Sequence, residues 1–144
     1  MNNKKGFTLI ELLAVIAIIA LISLVAIPNI VGLSNGIRKD SMVDDAKKML
    51  SLEKYQVNKN YAIRNSTSHT FTLAELNVNG DIKKDPDGGD YHQTYSRVVY
   101  TNSGGSVDYC VALIGSKRHI GTKTECVSEG NLYSRSNVDD GTIN

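Results

Sequence analysis

The 144-residue chain has no tryptophan, two cysteines, three histidines and almost no net charge, with 16 Lys and Arg against 15 Asp and Glu. Each shortage removes a class of function. A formal charge of +1 gives no bulk attraction to polyanions, so any nucleic-acid binding has to be local. So few cysteines and histidines cannot fill the common tetrahedral zinc patterns, and no iron–sulfur spacing exists. His69, His92 and His119 have no ligand spacing and no paired nucleophile, and they read as solvated loop residues. The sequence contains no nucleophile elbow, no phosphate loop and no acid–base pair above background, so neither catalysis nor a cofactor is expected. A chain of this length ordinarily forms one compact domain with one core.

What is present is unevenly spread. Hydrophobic residues make up 41% of the chain, yet residues 12–37 carry no charge at all and residues 12–22 nothing polar. About 20 apolar residues cross a bilayer as a helix. A protein this small cannot wrap a helix that is apolar all round, so its burial has to come from lipid or from other subunits. A cleaved secretory signal accounts for the basic start, Lys4 and Lys5, but wants a shorter apolar stretch and a small-x-small site after it, and no such site follows between Ser23 and Asn35. As a membrane anchor, the segment places its basic end in the cytoplasm and the rest of the chain outside. Glu11 does not fit a plain anchor, because an acid at mid-helix costs about 2.5–3.5 kcal/mol on insertion scales. It either sits hydrated at headgroup level or has a functional partner, and spacing alone leaves both open.

The run Lys4-Lys5-Gly6-Phe7-Thr8-Leu9-Ile10-Glu11-Leu12-Leu13, with the apolar stretch behind it, resembles the amino-terminal signature of type IV pilins and pseudopilins. It joins a short basic leader ending in Gly, an aromatic residue after it, an acid at the fifth position beyond the junction, and a membrane-length apolar segment. The resemblance implies that a membrane-bound prepilin peptidase cuts between Gly6 and Phe7 on the cytoplasmic side and N-methylates the new amine of Phe7. The cut precedes the apolar helix, so the anchor stays attached. It further implies that Glu11 and the Phe7 amine of a neighbouring subunit pair during assembly. Such a pair is worth far more in a low-dielectric environment than in water, and removing one member of a buried pair typically costs about 3–5 kcal/mol. Pro28 matches a proline of the same pattern and is expected to break the helix, either as a simple kink or as the end of a stretch that loses helical order in the filament.

The implied partners are other copies of the chain in a helical filament, the prepilin peptidase, a pilus assembly platform with its ATPase system, and membrane lipid before assembly. The implied locations are a single-pass cytoplasmic (inner) membrane form with its head outside, then an extracellular filament on the cell surface. Four segments follow: a leader at 1–6, a transmembrane or filament-core helix at 7–37, an amphipathic second half of that helix at 38–64, and a globular head at 65–144. In the amphipathic half, Val43, Ala46, Leu50, Val57 and Tyr61 recur at helical spacing, with Met42 and Met49 on a neighbouring stripe. Asp44, Lys47, Lys48, Glu53 and Lys54 fall mostly elsewhere, and Asp44 with Lys48 makes a supportive i,i+4 pair.

In the head, residues 73–90 read as a short helix or turn followed by a loop, and 95–101, 107–114 and 120–127 as strands separated by hairpin connections. Val107, Tyr109, Val111 and Leu113 share one strand face. An antiparallel sheet of three or four strands laid on the helix stripe gives an α+β head, the pilin fold. The loop Asp85-Pro86-Asp87-Gly88-Gly89-Asp90 carries three carboxylates but no closing Glu of an EF-hand, and turn chemistry explains it better than a metal does. Cys110 and Cys126 are either reduced and buried or paired, and the resemblance favours a disulfide, since pilins commonly close their C-terminal region in this way. The polar tail from Ser128 either lies over the sheet or is partly disordered.

The leading expectation is a structural subunit of a type IV pilus-like filament. The alternatives are a pseudopilin of a secretion or DNA-uptake system, or a minor tip pilin that binds a surface or DNA, for which Lys117, Arg118 and His119 form the one notable basic cluster. Three charges on a hairpin are no clear nucleic-acid site.

Overall fold

The structure, a computed structural model, describes residues 6–82 and 84–143, and the backbone alone for residues 25–29 and 31. The leader residues Lys4 and Lys5 therefore lie outside the described residues. Two compact units are present, Met1–Gly36 and Ile37–Asn144.

The first unit contains the start of α1, an α-helix that spans Leu9–Lys59. Its large apolar side chains, among the described residues, are exposed: Leu9 is 78% exposed, Ile16 56% and Leu24 74%. The hydroxyl of Ser23 donates back to the carbonyl of Ile19 at 2.8 Å, so even this polar group is satisfied inside the helix and adds little cost in apolar surroundings. Among the described residues no helix is long and apolar enough to cross a membrane. The side chains left undescribed, at 25–29 and 31, fall within the uncharged run of the sequence.

In this chain α1 runs through Pro28 without ending. Proline removes one backbone donor. In a helix of 51 residues the turns on either side retain their own hydrogen bonds, and a single missing one does not end the element.

In the second unit α1 buries one stripe, formed by Met42, Val43, Ala46, Met49, Leu50, Glu53 and Val57. Two expectations need correction. The helix stops at Lys59, and Tyr61 belongs to a separate turn, α2 (Tyr61–Arg64), where it is 72% exposed. Asp44 pairs with Lys47 rather than Lys48, and Lys48 pairs with Asp45.

The remaining elements are β1 (Ser68–Thr72), α3 (Leu73–Leu76), β2 (Arg97–Ser103), β3 (Ser106–Ile114), β4 (Arg118–Ile120), β5 (Val127–Ser128) and β6 (Val138–Asp140). Thr72 and Glu75 start α3 reciprocally, with the N–H and hydroxyl of Thr72 both donating to the Glu75 carboxylate at 2.8 Å. The strands form an antiparallel sheet in the order β1-β2-β3-β4-β6, with β5 also paired to β3. β3 organises it. One edge of β3 pairs with β2 from Ser106 to Ala112, and the other is shared between β4 at Leu113 and Ile114 and β5 at Cys110 and Val111. Gly104 and Gly105 make the β2–β3 turn with φ of 61° and 95°, the positive values that a tight two-residue hairpin requires at both central positions.

The core joins the α1 stripe to Leu73, Leu76, Val98, Val111, Leu113, Ile120, Leu132 and Val138. Val107, on the same strand face as the buried Val111 and Leu113, is 44% exposed near the hairpin end. The strand expected at 120–127 is replaced by two short ones. Thr122 is the reason: its Oγ1 accepts the N–H of Thr124 and of Glu125, folding the chain into a local turn that interrupts the ladder. The tail is neither loose nor merely draped, since β6 pairs with β4 and Leu132 is fully buried.

Candidate functional site

At the amino-terminal end, Phe7 is 88% exposed, and among the described residues nothing stands within 4 Å of where a Cβ on Gly6 would lie. Thr8 is the residue before the first turn of α1 and Glu11 the third residue of the helix. The N–H and the hydroxyl of Thr8 each donate to Glu11 Oε2 at 2.8 Å, and the Glu11 N–H donates to Thr8 Oγ1 at 3.3 Å. This is a capping box, which satisfies donors that a helix start leaves without partners. The pattern Thr8-x-x-Glu11 is visible in the sequence as a start signal, but the strangeness of an acid in an apolar run draws attention away from it. The Glu11 carboxylate is thus a local cap of the helix start.

In the head, three expected features take definite form. The loop at Asp85 is a built turn. One Asp85 carboxylate oxygen accepts the N–H groups of Asp87 and Gly89, and the other accepts that of Ser116. Burial pushes the Asp85 pKa up, but the hydrogen bonds from Ser116, Gly89 and Asp87 outweigh it and hold the group below the usual range. Asp87, whose side chain is 1% exposed, bridges Arg38 of α1 at 3.0 Å and Arg118 of β4 at 2.8 Å. Arg118 also reaches Asp140 at 3.2 Å. These carboxylates serve the protein's own donors and cations, so the cluster is structural.

The basic cluster at 117–119 is not a basic surface. Arg118 is buried among Asp87 and Asp140, Lys117 is exposed, and His119 lies on β4 with its Nε2 3.9 Å from Asp139. His69 is on β1, its ring centroid 4.4 Å from that of Phe71, and only His92 is a loop residue, its Nδ1 accepting the Tyr95 N–H. Cys110 and Cys126 form a disulfide across 5.4 Å between their Cα atoms, tying β3 to the segment just before β5. The residue that the sequence reading misplaced is Glu53, fully buried on the core stripe.

Against known proteins, residues 1–27 match the model of the prokaryotic N-terminal methylation motif. The chain thus carries the class III signal peptide of type IV pilins and pseudopilins. No curated protein and no solved structure matches the chain. The match covers Gly6, Phe7 and Glu11, and the α+β head, with a helix on an antiparallel sheet, is consistent with a pilin fold.

Proposed function

We propose that this chain is a filament subunit of the type IV pilin class, made as a membrane-anchored precursor, cut between Gly6 and Phe7, methylated on the Phe7 amine and assembled through α1. The observation that carries the reading is the methylation motif at the head of an apolar helix whose described large apolar side chains before Ile37 are exposed. Exposed apolar patches of this size mark a surface meant for lipid or for another protein. The uncharged run of the sequence is long enough to hold the precursor in a bilayer, with the Lys4 and Lys5 end inside. In the filament, sister helices take the place of lipid, and a head-to-tail contact that does not close generates a fibre.

Glu11 steers that exchange. Trimming creates a cation at Phe7, and the carboxylate of Glu11 in an adjacent subunit is its partner. The Thr8 cap offers Glu11 only neutral donors, whereas the Phe7 amine offers a full opposite charge, whose attraction is far larger in a low-dielectric environment than in water. The partners this reading requires are sister subunits, a prepilin peptidase and an assembly platform driven by an ATPase. Mass spectrometry of the amino terminus tests it in cells with and without the peptidase. Loss of residues 1–6 and a gain of about 14 Da, one CH₂, is expected only where the peptidase is present. An intact Met1 in surface material overturns the reading.

A further inference from the structure

The stripe by which α1 packs on the head contains one acid. Glu53 stands four residues after Met49 and four before Val57, in register with their buried side chains, and is itself fully buried. Among the described residues neither Glu53 Oε1 nor Oε2 has a hydrogen-bond partner. The other acids withdrawn from water are compensated, Asp85 by three backbone N–H groups and Asp87 by two guanidinium groups. A buried ionised carboxylate without such compensation is strongly disfavoured, so the group keeps its proton instead. Burial pushes the Glu53 pKa up to about 8.

The titratable and charged groups of this part of the core gather about the Tyr109 ring. Tyr109 of β3 has its pKa raised by burial and then by the nearby Glu53, Tyr100 and Glu129. Tyr100 of β2 uses its hydroxyl to donate to the Arg64 carbonyl, and its ring centroid is 5.6 Å from that of Tyr109. Lys54 of α1 lies over the Tyr109 ring at 5.0 Å but is ion-paired with Glu129 of the 3₁₀ turn at Glu129–Asn131. Lys54 is therefore already engaged with Glu129, and among the described residues no cation pairs with Glu53.

We infer that Glu53 is a proton latch on the packing of α1 against the sheet: with its carboxyl neutral the helix stripe seats in the core, and loss of the proton loosens that seat. The folded head then binds a proton that the unfolded chain gives up near the ordinary carboxylate value. Stability from this group is complete below the unfolded pKa, falls as pH rises, and is gone above the folded pKa. Within that window the folded-to-unfolded ratio drops up to tenfold per pH unit. The windows of Asp87, below it, and of Tyr109, above it, lie apart.

The test is urea unfolding of the full chain in detergent micelles, followed by tyrosine near-ultraviolet circular dichroism from about pH 5.5 to 8.5. The unfolding midpoint of the wild type is expected to fall across this range, while Glu53→Gln, a neutral isostere of the protonated acid, holds a flat profile. Parallel profiles for the two proteins overturn the latch. Should the variant fail to fold, the ¹³C resonance of the Glu53 carboxyl in the wild type decides. A midpoint near 8 supports the latch and one in the ordinary carboxylate range overturns it.

Discussion

Thr8 and Glu11 hold each other at the first turn of α1, the Thr8 N–H and hydroxyl both donating to one Glu11 oxygen at 2.8 Å. Two roles of the acid, as cap and as charge, can therefore be separated by substitution. Glu11→Gln keeps an acceptor for the cap but has no charge. Thr8→Val keeps the charge and loses the side-chain half of the cap, at about 0.5–2 kcal/mol of helix stability. If charge pairing drives assembly, Glu11→Gln is cleaved normally and forms few or no filaments, whereas Thr8→Val still polymerises. Electron microscopy of sheared filaments reads the difference. Equal impairment of the two variants assigns the role to the cap.

The parts of this protein that the sequence made legible are those whose signal is local or periodic. The motif from Lys4 to Leu13 is contiguous, so no fold is needed to see it. Met42, Val43, Ala46, Met49, Leu50 and Val57 show themselves by helical spacing and are buried as expected. Glu53 occupies the same spacing, but an acid reads as a surface residue; in the fold, position outweighs residue type. The strand misread at 120–127 turns on a single hydroxyl, Thr122, and β6 on three residues whose partner lies some twenty positions upstream. Such contacts have no pattern along the chain.

The Asp87 pair gives the head an acid limit. Hydrogen bonding from Arg118 lowers the Asp87 pKa more than burial raises it, with Arg38 adding to the effect. A carboxylate with a lowered folded pKa contributes stability that is present above its unfolded value, about 3.9, and lost as pH falls through the folded one. Asp87→Asn removes the negative charge that faces Arg38 and Arg118 and is expected to cost about 3 kcal/mol, the low end for breaking a buried pair, because Arg118 keeps its contact with Asp140. Its unfolding midpoint should also vary less than that of the wild type below about pH 4. A variant that matches the wild type in both respects removes Asp87 from the acid limit.

The disulfide closes a loop with a sequence separation of 16 between Cys110 and Cys126, which the chain-entropy account values at about 3 kcal/mol. The double variant Cys110→Ser with Cys126→Ser is expected to fold, because β3 keeps β2 along one edge and β4 on the other. Its urea midpoint should be lower than that of the oxidised wild type, and it should not respond to reductant. Wild-type protein treated with reductant should approach it. An unchanged midpoint in the double variant places the stability of this edge in the β3–β5 pairing and not in the bond.

The tail offers a sharper test because its two anchors differ in kind. Leu132 is fully buried and belongs to the same core as Met49 and Leu113, whereas β6 holds by pairing with β4 from Ile120 to Arg118. Truncating Leu132 leaves a cavity inside the core that its neighbours fill only in part, so Leu132→Ala is expected to cost about 2–5 kcal/mol. Tyr133, the next residue, is 61% exposed, and Tyr133→Ala should lie within about 0.5 kcal/mol of the wild type apart from the loss of its contact with Lys47. Urea unfolding of the two single variants measures both. If Leu132→Ala is as mild as Tyr133→Ala, the tail does not close the core; a loss several times larger makes residues 129–140 part of the folding unit, which no deletion of the C-terminal end would leave intact.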